Sequence, residues 1–256
     1  MGTVVKALSL LDHFDRLQPT IGLSNLARLA GLNKATAYRL LGELAEAGFV
    51  EQVPGESDYR LGPAFLRLAA LREAAVPMQD FAKQIVQQLA DETQETAHMS
   101  LMQGERLATV NFAYSGAHGT RVTMQDAKFL SYHATSSGLA VLAFSSPEFS
   151  NRALVGPLKK YTPQTVVDPL AIAQTLTDIR KSGVAISVGG FEADVHSHAA
   201  PIFDSTMAPI GAIAVASPVT RMTPEKSAQI KELVRQSAAK FTRLTGGFAP
   251  ADYPKN

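Results

Sequence analysis

Along the first quarter of the chain the spacing of apolar residues changes from helical to alternating and back to helical. Val4, Ala7, Leu8, Leu11 and Phe14 recur at helical intervals and predict a helix with one inward stripe. Pro19-Thr20-Ile21-Gly22 interrupts it, and Ser24 is placed to cap a short helix carrying Leu26, Ala27 and Ala30. Gly31 supplies a turn position, Asn33 a second cap, and Ala37, Leu40, Leu41 and Leu44 one face of a third helix ending near Gly48. Residues 49–53 and 58–61 flank Pro54-Gly55-Glu56-Ser57 and read as strand, turn, strand. Gly62-Pro63 opens another helix to about residue 75, where Val76-Pro77 marks a domain boundary. Helix, break, helix, tight turn, helix and hairpin is the order of a winged helix-turn-helix.

The remaining pattern predicts an α+β domain. A helix over 78–92 turns Phe81, Ile85 and Leu89 inward, and strands follow at about 95–102 and 105–113, joined at Gln103-Gly104. Residues 134–144 form a small-residue apolar helix. Asp168-Pro169 caps a helix with Ile172, Leu176 and Ile179 inward, ended by Gly183. Strands are expected at 184–188, 195–203 and 209–217. Thr223-Pro224-Glu225 opens a last helix with Ile230, Leu233, Ser237, Phe241 and Leu244 on one stripe.

Length and composition fit this division. The 256 residues suit two domains, and 46% apolar content supplies a core for each. No cysteine is present, so disulfides and thiolate metal sites are excluded. No apolar run reaches the length of a membrane span, and Met1-Gly2-Thr3-Val4-Val5-Lys6 lacks a signal-peptide pattern, so a cytoplasmic protein with no membrane partner is expected.

The net charge of +1 does not decide nucleic-acid binding, because phosphates respond to local clustering. Between Arg16 and Gly42 stand Arg16, Arg28, Lys34 and Arg39 with no acidic residue, which predicts that acids are kept from the DNA-facing side. On the third helix Lys34, Ala35, Tyr38 and Gly42 share the face opposite the leucines, flanked by Thr36 and Arg39. A major groove admits one such helix. Lys34, Thr36 and Arg39 are then expected on phosphates, Ala35 and Tyr38 near base edges, and Arg28 and Arg60 as further DNA-binding residues, Arg60 from the wing.

These blocks resemble a known family. Gly31-Leu32-Asn33-Lys34-Ala35-Thr36-Ala37-Tyr38-Arg39-Leu40-Leu41, Leu44-Ala45-Glu46-Ala47-Gly48-Phe49-Val50 and Tyr59-Arg60-Leu61-Gly62 are similar to the N-terminal signature of IclR-type transcription regulators. Glu95-Thr96-Ala97-His98, His133-Ala134-Thr135-Ser136-Ser137-Gly138, Tyr161-Thr162-Pro163-Gln164-Thr165 and Ala199-Ala200-Pro201-Ile202-Phe203-Asp204 resemble successive blocks of that family's effector domain. The resemblance implies a winged helix-turn-helix over 1–62, a linker helix over 63–76, a GAF-like effector-binding domain over 77–248 and a tail over 249–256. It implies a homodimer or homotetramer on paired operator half-sites, and an effector that modulates DNA affinity at a catabolic operon.

Departures from the family pattern bear on the effector. Where acid-binding relatives place an aspartate, a cysteine and two serines, this chain has Ser187, Ser197, Ala214 and Ala216. The relatives' ligand-binding amides at the start of the central helix match Ser136 and Ser137, and a helix N-terminus welcomes an anion or carbonyl. Ser131 replaces a usual proline, and His198 stands at a usually aliphatic position, which makes it a candidate for ligand selectivity. An aromatic or otherwise largely apolar acid or amide is the expected effector.

Other chemistry is thin. His196 and His198 lie two apart on a strand and face one side, where His98 or His133 would have to complete a metal site; no Glu or Cys spacing supports one, so no metal or cofactor is expected. Asp194, His196 and Ser197 are too close on one strand for a hydrolase triad, and no Gly-x-Ser-x-Gly elbow, Walker or dinucleotide motif occurs. A metabolite-processing enzyme is therefore disfavoured, and a nonspecific architectural DNA-binding protein would not need the large second domain.

Overall fold

In the computed structural model, which describes residues 2–14, 18–75, 78–124 and 129–254, the chain separates into two units, residues 1–77 and 78–256. Arg16 and the Val76-Pro77 boundary lie outside the described residues.

The first unit contains α1 (Thr3–Leu11), β1 (Ile21–Gly22), α2 (Leu23–Leu29), α3 (Lys34–Glu46), β2 (Val50–Gln52), β3 (Asp58–Leu61) and α4 (Ala64–Ala75). Asn33 caps α3, its side-chain oxygen accepting from the Thr36 amide at 2.8 Å. The predicted leucine face is the core: Leu40 and Leu41 are fully buried with Leu10, Ile21 and Leu26. Two readings are corrected. Gly22, not Ser24, caps α2, because β1 runs straight into it and Ser24 falls on the exposed side. In α1 and the turn after it Ala7, Leu11 and Phe14 pack against the core as expected, but the fully buried residue is Leu10, while Val4 (71% exposed) and Leu8 face solvent. That helix carries apolar residues on two flanks, so periodicity alone did not choose between them.

The wing folds onto the helices through a close backbone approach. β1 and β2 flank β3, in the order β1-β3-β2. The Gly62 amide donates to the Phe49 carbonyl at 2.9 Å and the Ala64 amide to the Gly48 carbonyl at 3.0 Å. A Cβ on Gly62 would lie 2.3 Å from that Gly48 oxygen, so only glycine fits. Phe65 of α4 then meets the Phe49 ring edge to face at 5.4 Å.

The second unit comprises α5 (Met78–Thr93), β4 (Thr96–Gln103), β5 (Arg106–Ala113), β6 (Phe129–Leu130), α6 (Ser136–Phe144), α7 (Pro147–Ala153), α8 (Pro169–Ser182), β7 (Ala185–Val188), β8 (Val195–Phe203), β9 (Pro209–Pro218) and α9 (Pro224–Leu244). One antiparallel sheet has the order β6-β5-β4-β9-β8-β7. α5 and α9 cover one face, burying Ala97, Met99, Ala200, Ile202, Ile213 and Val215. α6 and α8 occupy the other, over Ala185, Ala199, Ala212 and Ala214. Small residues on this second face let α6 approach closely. Gly138 instead lets the segment leading into α6 fold against the helix: a Cβ there would meet the Ser131 carbonyl at 2.4 Å.

Periodicity missed the two-residue strands β1 and β6 and the helix α7. The α9 stripe is shifted by one residue, since Val234 and Ala238 are buried with Ile230 and Phe241, while Leu244 is exposed. The final segment is packed: Tyr253 contacts the rings of Phe144 and Phe203 and donates to the Gly183 carbonyl at 3.1 Å.

Glu95, at the α5–β4 junction, has a side chain only 1% exposed. Arg221 donates to both of its oxygens, at 2.9 and 2.6 Å, and Lys226 in the first turn of α9 donates to one. Burial alone would raise this carboxyl; the hydrogen bonds from Arg221 and Lys226 outweigh it and hold the group below its ordinary 4.5. A carboxylate lowered by folding stabilises above its unfolded pKa, and that stabilisation is lost as pH falls through the folded value. Glu95→Ala should cost about 3 kcal/mol at pH 7, because two cations lose their partner. Urea denaturation of the full chain checks this; unchanged stability would mean that the triad is not holding α9 to the sheet.

Candidate functional site

Two surfaces carry the residues singled out from sequence, one in each unit. On α3, Lys34, Ala35, Tyr38, Arg39 and Gly42 are exposed, Thr36 is half-buried, and Tyr38 projects with 63% of its surface free. Arg28 is exposed in the last turn of α2. The expected exclusion of acids is corrected in detail. Arg39 pairs with Glu43 one turn on, and Arg60 of β3 pairs with Glu51 of β2 at 2.6 Å. The acid-free run ends at Gly42, and the helix repeat returns Glu43 beside Arg39. Lys34 keeps its place at the amide-rich start of α3, where the helix field is positive.

In the second unit a cavity opens to solvent at the head of α6. Ser136, Ser137, Ser187, Ser197 and Ala216 all line it. Thr135 caps α6 by accepting from the Gly138 amide at 3.0 Å, so the amides of Ser136 and Ser137 lead the helix at the cavity. The remaining wall is mostly apolar, from Val122, Met124, Leu130, Phe191 and Val195, with Thr123 and the carboxylate of Glu192 beside them and no Lys or Arg among the described lining residues.

The loop that closes the cavity explains two sequence blocks. Thr162 and Thr165 donate to the carbonyls of Gly189 and Gly190, at 2.5 and 2.7 Å. Ser187 donates to the Ala134 carbonyl at 2.8 Å, immediately before α6. Ser131 and the Lys159 carbonyl hold the two nitrogens of His133, at 3.0 and 2.9 Å.

His198 is corrected: it does not line the cavity. Ser197 faces the cavity, so strand alternation turns His196 and His198 to the α9 side of the sheet. There His198 Nε2 meets Ser227 Oγ at 2.8 Å and its ring stacks on His196 at 4.8 Å. Ala214 shares the cavity face but is covered by the α6–α8 core. The residue missed from sequence is His98, named only as a possible metal partner. It lines the cavity from β4, opposite Ala214 in register, with Nε2 at 3.3 Å from Ser137 Oγ. Its even position beside Thr96 and Ser100 was the available signal, but β4 is buried on both faces and the alternation of polarity is weak there.

Residues 3–54 match the IclR helix-turn-helix domain, and residues 73–243 match the bacterial transcriptional regulator IclR C-terminal family. The chain belongs to the IclR family of DNA-binding transcription regulators. It is 28% identical over 254 residues to the transcriptional repressor IclR of Escherichia coli K12, spanning 96% of this chain and 90% of that one. An IclR transcriptional regulator from Silicibacter sp. TM1040 of known crystal structure shares 51% identity over all of both chains, with a TM-score of 0.86. An IclR homologue from Microbacterium hydrocarbonoxydans, solved with 4-hydroxybenzoate, shares the fold at 22% identity and a TM-score of 0.59, over 95% of this chain and 99% of that one. These matches are regulators, not enzymes, and no helix among the described residues is long and apolar enough to cross a membrane.

Burial holds the His98 imidazole down at about 4, so this IclR-family sensor keeps it neutral while an unfolded chain takes up a proton near 6.5. A histidine lowered by folding loses stability as pH falls from 6.5 towards 4. Between pH 7 and 5 His98 should cost the unit on the order of 2 kcal/mol. Urea midpoints at the two values check this: His98→Gln should lose less than wild type. Equal losses would show that His98 titrates normally.

Proposed function

We propose that this regulator binds a paired operator through α3 and that its affinity is set by an aromatic or otherwise largely apolar acid or amide in the cavity at the head of α6. The observation that carries this reading is the pairing of polarity inside that cavity. Helix-terminal amides, Ser197 and a neutral His98 share the lining with apolar side chains that include Phe191, and Glu192 is its one charged member among the described residues. Such a site binds an acid by dipoles and hydrogen bonds and draws its remaining affinity from apolar burial. The 4-hydroxybenzoate complex of the Microbacterium homologue supports the ligand class. The Escherichia coli and Salmonella relatives, a repressor and an acetate operon repressor, support control of a catabolic operon.

Assembly as a homodimer or homotetramer in the cytoplasm belongs to the same proposal. Its support is the exposed apolar surface of the first unit, with Val4, Val5 and Leu8 on α1 and Leu66, Leu68 and Leu71 on α4. Two copies would set their recognition helices about 34 Å apart. Effector would act by favouring one arrangement of the pair.

Lys34, Thr36, Arg39, Arg28 and Arg60 are assigned to phosphates, and Ala35 and Tyr38 to base edges. Arg39 and Arg60 must then exchange Glu43 and Glu51 for phosphate. Glu43→Gln should therefore tighten operator and random DNA alike, about threefold to tenfold, and steepen the salt dependence by up to roughly one phosphate. Arg39→Ala should weaken all sequences, and Tyr38→Ala should change preference at particular base pairs. Binding titrations at several salt concentrations read these effects; weaker DNA binding by Glu43→Gln would remove α3 from the DNA face. For the effector, thermal shifts are measured with 4-hydroxybenzoate, benzamide and pyruvate, with Ser197→Val as the cavity variant. A response to pyruvate alone would overturn the apolar-effector reading.

A further inference from the structure

Buried polar atoms without a hydrogen-bond partner are rare in native proteins, and each asks for an explanation. Among the described residues six side-chain atoms are in this state. Three belong to His98, Ser100 and Thr109, behind the effector cavity; Ser100 and Thr109 are register partners on neighbouring strands. The other three are His196 Nε2, His198 Nδ1 and Arg235 Nε, on the opposite side of the sheet under α9. The effector cavity does not reach them.

A second cavity does lie on that side. About 860 Å³ of space, partly open to solvent, is lined by Val184, Ile186 of β7, Lys181 and Ser182 at the end of α8, and Lys231, Glu232 and Arg235 of α9. Ile186 pairs across the strands with His198, so the histidine ring is the next side chain inward from the cavity floor. Lys231 is close enough to depress both histidines, after the larger effect of burial and, for His198, the charge of His196.

The charge of this cavity is unbalanced. Lys181, Lys231 and Arg235 face one carboxylate, Glu232. Glu232 is already engaged, accepting from Gln236 at 2.8 Å and standing 3.8 Å from Arg235. Lys181 reaches Asp178 only at 3.6 Å on the exposed side, and Lys231 makes no ion pair among the described residues. Arg235, mostly buried, keeps its Nε without an acceptor. Donors and positive charge converge where acceptors are missing.

We propose that this cavity is a second ligand site, separate from the effector cavity, that binds a phosphate-sized oxyanion between Lys181, Lys231 and Arg235. A tetrahedral oxyanion presents several acceptor oxygens at once. One edge suits the guanidinium fork of Arg235, and the remaining oxygens suit the two ammonium groups. His196 does not line the cavity but lies within the electrostatic reach of Lys231, so its ring reports on occupancy. The apolar floor of Val184 and Ile186 leaves room for a small organic group beyond the head, so the oxyanion is either free phosphate or the head of a phosphorylated metabolite.

The test uses the full chain and two probes, inorganic phosphate and ribose 5-phosphate, titrated by calorimetry against a chloride control of equal ionic strength. Saturable binding of one phosphate per chain is expected. Lys231→Ala and Lys181→Ala, both at exposed positions outside the core, should each weaken it about tenfold, the loss of one charge-assisted contact. Ser197→Val should leave it unchanged, and 4-hydroxybenzoate should not compete. The His196 ring resonance should shift on saturation in wild type. Tighter binding of ribose 5-phosphate than of phosphate assigns the site to a phosphorylated metabolite, and equal binding assigns it to the free ion. The proposal is overturned by absence of saturable binding, by binding that survives both lysine variants, or by binding abolished in Ser197→Val. It is also overturned if the lysine variants change only the molecular mass of the assembly, since the cavity would then be a contact between copies.

Discussion

Alternation along β8 and β9 is the constraint on which the sensor unit depends. Both strands are buried on both faces, so each residue is committed to one of two environments with no solvent-exposed alternative. Odd positions of β8 and even positions of β9 go to α6, α8 and the effector cavity. The others go to α5 and α9. Small residues at Ala199, Ala212, Ala214 and Ala216 let α6 lie close enough for its N-terminus to form a cavity wall. Had these been larger, the helix would stand off and the amides of Ser136 and Ser137 would face a filled core.

The same alternation explains what sequence could and could not reveal. Helices with a single apolar stripe and a capping residue were legible: α3 by Asn33 and its leucines, α8 by Asp168 and Gly183. The family blocks located the head of α6 and the loop that Thr162 and Thr165 hold in place. Failures came where local pattern underdetermines tertiary choice. α1 has two apolar flanks, and α9 offers both Leu233 and Val234 to the core. The pairing of Ser197 with His198 in one site is a different kind of miss, because adjacent strand residues cannot share a face. His98 was hidden because β4 is buried on both sides, so polarity there does not mark the side that meets a ligand.

The first unit shows a related limit for charge. The acid-free run from Arg16 to Gly42 is real in sequence, yet Arg39 and Arg60 each find a carboxylate from outside it. Both pairs are solvent-exposed, with side chains 42–59% accessible, so each contributes little to stability. Their effect lies elsewhere: they hold the guanidinium groups in extended positions and lower the local positive potential. Net charge near zero and paired arginines together moderate nonspecific attraction to DNA, which under the proposed assignment leaves discrimination to Tyr38 and its neighbours.

The effector cavity resolves the loss of hydroxyls seen in sequence in a specific way. Ala216 removes one polar partner from the wall, and Ser187 is spent on the Ala134 carbonyl, where it fixes the loop instead of meeting a ligand. That leaves Ser197, Ser137 and His98 beside the α6 amides, with Thr123 and Glu192 also in the lining. No cation lines the cavity among the described residues and Glu192 does, so an acid held there in the proposed reading depends on the dipoles of the α6 amides and on the apolar wall around the rest of the molecule. In the proposed reading a very small acid offers too little surface for that, whereas a ring has Phe191, Met124 and Leu130 available in the lining. Ligand size is therefore coupled to ligand charge: the fewer the hydrogen bonds at the head, the larger the apolar body the cavity requires.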